Sequence, residues 1–180
     1  MAAATEFAAV AALRLAAYRA APEFTMADEA AVVRWDGLVL VADCAGVGLV
    51  ATMQVIECAK LLELQQASDS LPPPDFPAFP TLLLNRGATL PGRNYMGLNS
   101  RLRLAALEMA MADTRLQSLT GFVYEGAPRL NLLRELGYAF TPVEKTAHQH
   151  VTGHTSEFFV ALRRPQFAAA REKLLRVFCP

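Results

Sequence analysis

The residues between positions 93 and 100 combine the types that bind an anion through the main chain. Gly97 lets the backbone approach a ligand closely, and Asn99 and Ser100 can both cap a following helix. Arg93 adds a mobile positive charge beside them. A polar turn between a strand and a helix presents unpaired N–H groups and the positive helix end to a phosphate. Most such junctions in α/β proteins bind nothing, so this turn is a candidate that needs support from the rest of the chain.

Arg86 is the second residue of chemical interest because it lies on an otherwise apolar strand. A charged side chain in that setting should be paired if it is buried. Two interpretations stay open. Arg86 contacts a carboxylate or another anionic group of a ligand, or it forms a structural ion pair or faces outward.

Three histidines, His148, His150 and His154, form a cluster in a polar segment. On a strand the first two would face the same side, as a metal site requires. No cysteine is near them in the sequence, and the only neighbouring acids are Glu144 and Glu157. We therefore expect a solvated hairpin and no metal, with a role in lining an acceptor site as the alternative.

Composition limits the classes of protein to which these residues can belong. The chain has 180 residues, of which 53% are hydrophobic, so it can form one domain with a buried core and is neither disordered nor fibrous. Its 17 basic and 17 acidic residues balance, so no overall field attracts nucleic acid or an anionic membrane. Its three cysteines are scattered, which argues against a disulfide framework and favours the cytoplasm. We predict no signal peptide and no membrane insertion.

Hydrophobic periodicity and turn residues predict the elements that must position the candidate residues. The loop at 68–80 holds five of the eleven prolines, and the segment before it is too small to close a core, so we predict a single domain over residues 1–180. The predicted order is a helix at 4–20, a β-hairpin at 38–56, a short helix at 60–66, the loop at 68–80, a strand at 81–90, a helix at 101–114, a strand at 119–124, a helix at 128–136, strands at 138–143 and 156–163, and a helix at 166–178.

Several motifs in residues 38–163 are similar to those of the GNAT (Gcn5-related N-acetyltransferase) superfamily. Residues 89–91 (Thr-Leu-Pro) occupy the family's V-x-P-like step, and residues 94–99 occupy its Q/R-x-x-G-x-G/A loop, with Gly97 as the identity. Asn94 stands where Gln or Arg is usual, and Asn99 where Gly or Ala is usual. Residues 133–138 match the end of the family's second helix, and residues 157–162 match its last strand.

A narrower resemblance is to the acyl-homoserine-lactone and long-chain N-acyl amino acid synthases, which share this fold. Residues 85–89 (Asn-Arg-Gly-Ala-Thr) look like their Ser/Thr-Arg-x-x-Val strand. Residues 49–53 look like their preceding strand with its Thr-Met-Arg step, in which Gln54 replaces the arginine.

The resemblance implies an α/β (α+β) fold with a central mixed, mostly antiparallel sheet that is splayed between its middle strands and flanked by helices. The implied activity is N-acyl transfer from acetyl-CoA or a longer acyl-CoA to a small-molecule primary amine. The main chain of Ala88, Thr89 and Leu90 would bind the pantetheine arm and polarise the thioester carbonyl. The diphosphate would be held by the loop residues Asn94, Tyr95, Met96, Gly97, Leu98, Asn99 and Ser100, with Arg93 beside them.

The proton donor of the implied site is not at its usual position in this chain. The tyrosine that many family members carry four residues before the glycine of the second helix falls here on Leu133. Tyr124 and Glu125, at the end of the preceding strand, are the nearest replacements, and Arg86 is a third candidate catalytic residue. The alternatives are that Tyr124 only packs and that Glu125 is only a turn or helix-start residue. For Arg86, the resemblance adds contact with phosphopantetheine. Glu57 and Glu63, near the end of the second strand, are further base candidates, and Arg163 and Arg164 are expected to be a solvated strand end.

Other interpretations of the whole chain stay open. The donor could be an acyl carrier protein in the synthesis of an N-acyl amino acid or lactone, or the chain could be an inactive GNAT-like binding module. The loop at 68–80 would frame the acceptor entrance, where Leu71, Phe76 and Phe79 suit a hydrophobic substrate or a mobile lid. The apolar stripe of the last helix caps the sheet or docks against a second subunit in a homodimer.

Overall fold

A computed structural model describes residues 4–20, 33–34, 36–68, 71–76, 78–92, 95, 97–143 and 157–178. The helices are α1 (Ala4–Arg19), α2 (Leu61–Ser68), α3 (Leu98–Ala112), α4 (Leu130–Leu136) and α5 (Phe167–Phe178). The strands are β1 (Leu38–Cys44), β2 (Gly48–Cys58), β3 (Thr81–Thr89), β4 (Ser118–Tyr124), β5 (Ala139–Val143) and β6 (Glu157–Arg163).

The six strands form one sheet in the order β1-β2-β3-β4-β6-β5. Every neighbouring pair is antiparallel except β3 and β4, which run parallel because α3 returns the chain to the same edge. The predicted hairpin is confirmed, and Gly46 and Gly48 make its turn with φ values of 79° and 90°. The predicted mixed, mostly antiparallel sheet is therefore also confirmed.

Apolar side chains cover both faces of this sheet. One face packs against α3, α4 and α5 around Leu107, Leu119 and Leu162, all of which are buried. The other face packs against α2 around Leu64 and Phe159. The helix α1 lies on β2 and β3 and buries Val10, Leu13 and Arg14. Helices therefore flank the sheet on both sides, as expected.

The proline-rich loop packs its aromatic residues into the protein. Phe76 makes edge-to-face contacts with Phe79 at 5.4 Å and with Phe159 of β6 at 5.0 Å between ring centroids. Leu71, by contrast, is exposed. The expectation of a substrate-facing lid does not fit Phe76 and Phe79, because their rings are held by the core.

The structure corrects several local predictions. The helix α3 begins three residues earlier than predicted, so Gly97 is its N-cap and no side chain caps it. Asn99 and Ser100 are therefore in the first turn, and the prediction that they cap the helix is wrong. The glycine stop of α4 is confirmed, because Gly137 has a φ of 91° and donates to the Arg134 carbonyl.

Among the described residues, no helix is long and apolar enough to span a bilayer. In the same part of the chain, Cys44 and Cys58 are free thiols, and no group of three His, Cys, Asp or Glu side chains could hold a metal ion. His148, His150, His154, Glu144 and Cys179 lie outside the described residues.

Candidate active site at the open end of two parallel strands

The two parallel strands separate after three residues. Residues 81–83 of β3 pair with residues 118–120 of β4, and no pairing follows. We call these residues the closed end, and residues 84–89 of β3 with residues 121–124 of β4 the open end. The expected splay between the middle strands is confirmed. At the open end, each strand has one edge whose main-chain groups are not used by the other strand.

A β-bulge shapes the open end of β3. Thr52 pairs with Ala88 and Gln54 pairs with Asn85, so Arg86 and its successor together face a single residue of β2. Arg86 has a φ of 46°, a conformation that is rare for a residue with a side chain. The Asn85 side chain accepts a hydrogen bond from the Arg86 N–H at 2.8 Å, which stabilises the bulge. A bulge bends its strand, and this one lies where β3 leaves β4.

The Arg86 side chain points into the protein and is 8% exposed. Its Nη1 donates to the Gln54 Oε1 at 3.0 Å, and Gln54 in turn donates to the Asp36 carbonyl. Arg14 of α1 lies close by, and its pKa falls to about 10 because it is buried and because Arg86 is near, while Tyr18 acts in the opposite direction. The structure therefore places Arg86 in a buried hydrogen-bonded cluster, and its contact with a substrate stays a prediction.

The last residues of β3 present main-chain groups to the open end. The Leu90 N–H donates to the Val50 carbonyl of β2 at 2.9 Å. Successive residues of a strand direct their N–H and C=O groups to opposite sides, so those of Thr89 face the open end. Ala88 is buried and paired with Thr52. Of the three residues predicted to bind the thioester arm, Thr89 has the suitable orientation.

The predicted phosphate turn follows directly. Gly97 adopts φ 85° and ψ −12°, a left-handed conformation that suits glycine. Its carbonyl accepts from the N–H groups of Ser100 at 3.0 Å and Arg101 at 3.1 Å. The N–H groups of Leu98 and Asn99 precede these in the first turn, where amides have no acceptor within the helix. No acceptor for either amide lies among the described residues, so two main-chain donors lie at the positive end of α3.

The other predicted loop residues divide into two groups. Tyr95 is half-buried, and its N–H donates to the Gly92 carbonyl at 3.3 Å. Arg93, Asn94 and Met96 lie outside the described residues.

The candidate acids lie at the open end of β4. Tyr124 is half-buried and ends the strand, and Glu125 is exposed in the following turn. Leu133, where a tyrosine is usual in the family, is 1% exposed and belongs to the apolar core. A proton donor at that position is therefore absent. In the open end of β4, residues 121–124, the one ionisable side chain is Tyr124.

Two residues at the open end were missed by the sequence analysis. Arg129 precedes α4 and interacts electrostatically with Tyr124 and with Tyr18 of α1. Surrounding protein lowers the pKa of Arg129 by desolvation, and the charge of Arg103 lowers it further, although the residue is exposed. Burial raises the pKa of the Tyr18 phenol, which the charge of Arg129 opposes. No local pattern marks either residue, because they meet only through the fold.

Other candidates of the sequence analysis have structural partners. Glu57 lies 3.6 Å from Arg115, and Glu63 accepts the Ala59 N–H at 2.7 Å. Arg164, expected to be a solvated strand end, instead donates to carbonyls at the end of α3, namely those of Ala110, Met111, Asp113 and Leu116.

Solved structures share this arrangement of strands and helices. The ribosomal-protein-S18-alanine N-acetyltransferase from Escherichia coli superposes with a TM-score of 0.59 at 15% identity, covering 90% of each chain. The ribosomal-protein-alanine N-acetyltransferase from Brucella melitensis gives 0.58 at 15% identity, covering 90% of this chain and 96% of that one. The CoA-dependent acyl-homoserine lactone synthase BjaI, with SAM and isopentyl-CoA, gives 0.53 at 16% identity, covering 94% and 82%.

Comparisons of sequence, by contrast, find no match: no family model and no curated protein matches the chain. The chain has the fold of the GNAT N-acetyltransferases, as the resemblance implied. The superpositions establish the fold. At identities of 15–16% they do not identify the reaction, which must be argued from the geometry of the site.

Proposed function

We propose that the protein is an N-acyltransferase that moves an acyl group from coenzyme A to a primary amine. The observation that carries the proposal is the continuity of the open end with the turn at Gly97. The unpaired edge of β3 leads through Thr89 and Leu90 to the two amides of the first turn at the positive end of α3. A thioester arm and a diphosphate are two parts of one donor, and this arrangement offers main-chain groups to both.

The proposed reaction is direct attack of a neutral amine on the thioester carbonyl. A C–N bond forms, the C–S bond breaks, the amine loses a proton and the departing thiolate takes one up. The Thr89 N–H would donate to the carbonyl oxygen, which becomes more negative in the transition state. A donor already oriented by the fold costs no reorganisation at that moment, so this main-chain group would contribute mainly to the rate.

The residues of the turn fit a diphosphate. The left-handed Gly97 allows a ligand to approach without meeting a side chain, and the Leu98 and Asn99 amides lie in the first turn of α3, where the helix offers them no acceptor. The side chain of Asn99, larger than the residue usual in the family, donates to Thr89 at 3.1 Å and so is directed at β3. Its size does not cover the amides. Coenzyme A, when bound, would supply the activated thioester, and Arg93, Asn94, Tyr95, Met96 and Ser100 complete the proposed loop.

Tyr124 is the proposed donor of the proton to the thiolate. It ends β4 at the open end, and the positive charge of Arg129 lies close to it. Glu125 follows it in the turn and is the alternative, and Arg86 would act from the other strand. We expect Tyr124→Phe to lower thiol release from an acyl-CoA about 100-fold, a usual size for loss of a general acid. Glu125→Gln is the matched comparison, and unchanged rates in both variants would remove both residues from the mechanism.

Ligand binding tests the proposal before the amine is known. Acetyl-, octanoyl- and palmitoyl-CoA should each be titrated while the melting temperature is recorded, because a ligand of the folded state raises it. We expect a rise with at least one of the three, followed by thiol release when a panel of primary amines is added. No rise with any acyl-CoA contradicts the proposal, and a rise only with an acylated carrier protein would identify that protein as the donor.

A binding module without catalysis is the second candidate, and the burial of Leu133 favours it. It predicts a rise in melting temperature with acyl-CoA and no thiol release with any amine. The two candidates therefore differ in one measurement on the same sample.

A further inference from the structure

The side chain of Asn99 joins the two halves of the proposed donor site. Its Nδ2 donates to the Thr89 Oγ1 at 3.1 Å. Its Oδ1 lies above Gly87, where a Cβ would be only 2.8 Å away. Both contacts cross from the first turn of α3 to the end of β3. The absence of a side chain at Gly87 therefore provides the space that the Asn99 amide occupies.

The two residues that this contact joins are the ones that offer main-chain donors. Thr89 directs its N–H to the open end, and Asn99 contributes the second amide of the first turn of α3. The segment between them, residues 90–98, begins with Leu90, Pro91 and Gly92, of which the last two are exposed. A side-chain bond across the base of this segment sets the separation of its two ends more directly than the segment itself can.

We propose that Asn99 is a positioning residue, which sets the distance between the thioester-binding end of β3 and the diphosphate-binding turn of α3. This rests on the proposed function. A ligand that spans two sites gains affinity only if both can be engaged at once, because the second contact is then made at high effective concentration. Asn99 would hold the spacing that one CoA molecule requires. An asparagine in place of the usual small residue would then serve this spacing, and Gly87 would provide the room that its side chain needs.

The test compares an intact donor with its two fragments. Acetyl-CoA carries both parts, whereas acetylpantetheine carries the thioester arm without a diphosphate, and ADP carries a diphosphate, with its adenosine, without the arm. We expect Asn99→Ala to weaken the binding of acetyl-CoA about tenfold by calorimetric titration, and to change the binding of either fragment less than twofold. A residue that contacts one part directly would weaken the matching fragment as well.

Two further variants act on the same contact. Thr89→Val removes the accepting hydroxyl and should reproduce the loss for acetyl-CoA, and the double variant should lose no more than either single one. Thr89→Ser retains a hydroxyl and should restore most of the loss seen with valine. Asn131→Ala, on the exposed face of α4, is the control for an asparagine remote from the contact.

Each outcome separates the two proposals. Equal losses for acetyl-CoA and for one fragment, or no loss in Asn99→Ala, overturn the positioning role and leave the proposed function intact. If Asn99→Ala does not fold, the Thr89→Val and Thr89→Ser pair decides the matter by the same comparison. Failure of the unaltered chain to bind acetyl-CoA contradicts the proposed function and the positioning role with it.

Discussion

The closed and open ends of β3 and β4 differ in how their polar groups are used. At the closed end, the Thr81 hydroxyl lies 2.8 Å from the Ser118 hydroxyl and 3.1 Å from the Thr120 hydroxyl, and all three residues are buried. The Ser118 Oγ also lies 2.8 Å from the Ala78 carbonyl. At the open end, the same two strands make no hydrogen bonds to each other. Side chains and main chain together join the strands at the closed end. At the open end, the facing main-chain groups of the two strands are not paired with each other.

This contrast shows how the protein can leave part of a sheet unpaired. An unpaired strand edge is costly when it is buried and aggregation-prone when it is exposed. The closed end holds the strands together, while Gly121 allows the Leu84 carbonyl to approach where they begin to part. We interpret the closed end as the part that stabilises the fold and the open end as the part that binds, and four variants examine that division.

The largest effect is expected for Arg164→Ala, beside the closed end. The Arg164 N–H donates to the Gln117 carbonyl at 2.8 Å, and its guanidinium donates to carbonyls at the end of α3, the shortest bond being 2.7 Å to Leu116. Removing a cation that satisfies several partly buried carbonyls should lower the free energy of unfolding by about 3 kcal/mol. Urea denaturation measures this, with Arg176→Ala on the exposed surface of α5 as the control. Equal stability of the two variants would contradict the role assigned to Arg164.

A smaller loss is expected for Thr81→Val. Valine keeps the shape of the side chain but removes the hydroxyl that lies 3.2 Å from the Ser118 carbonyl and 3.1 Å from the Thr120 hydroxyl. The buried partners lose a hydrogen bond, so unfolding should require about 2 kcal/mol less. The affinity for acetyl-CoA should be retained in the folded fraction. A variant that folds normally and no longer binds would show that the two ends are not separate.

Gly121→Ala tests the boundary between the two ends. An added Cβ would lie 3.0 Å from the Leu84 carbonyl oxygen, so the strands must part by a few tenths of an ångström. We expect a loss of about 1 kcal/mol in unfolding free energy, together with a change in acyl-CoA affinity, because the boundary moves. Denaturation and titration of the same preparation measure both. A change in stability without any change in affinity would place Gly121 with the closed end.

The smallest effect at neutral pH concerns Cys58, which is paired with Thr81 at the closed end. Burial, with the nearby charges of Glu63 and Glu57, raises the pKa of the Cys58 thiol from 9.0 to about 11. The unfolded chain therefore loses this proton first, and the contribution to stability, complete below pH 9, is lost as the pH rises towards 11. The unfolding free energy should fall by about 1 kcal/mol for each pH unit in this window. Cys58→Ala should show a shallower decline, and identical slopes would contradict the shift.

The elements were predictable because their signals are local. The hairpin at 38–56 follows from two apolar runs around glycines, and the end of α4 follows from Gly137, whose left-handed conformation requires no long-range contact. The start of α3 was missed by three residues because Asn99 and Ser100 resemble capping residues in sequence. Gly97 displaced them as the N-cap, since its left-handed backbone already turns the chain into the helix.

The candidate site was predictable only where it consists of main chain. Thr89 was expected near the end of a strand and Gly97 in the turn before a helix, and the structure has them there because both are local features. Their roles in binding stay predictions. Arg129 and Tyr18 were not found, since the side chains belong to elements more than 100 residues apart. The role of Arg164 was wrongly predicted for the same reason: its acceptors lie 48–54 residues away in the chain.

The amino-acid sequence alone determined which segments are strands and helices, where glycine must turn the chain, and which faces are apolar, because these depend on side-chain periodicity and on the backbone preferences of single residues. Only the tertiary structure decided where β3 and β4 part, that Arg164 binds the end of α3 and that Asn99 joins α3 to Thr89. These depend on hydrogen bonds between groups that the chain brings together only when it packs, and no pattern of neighbouring residues encodes their distances.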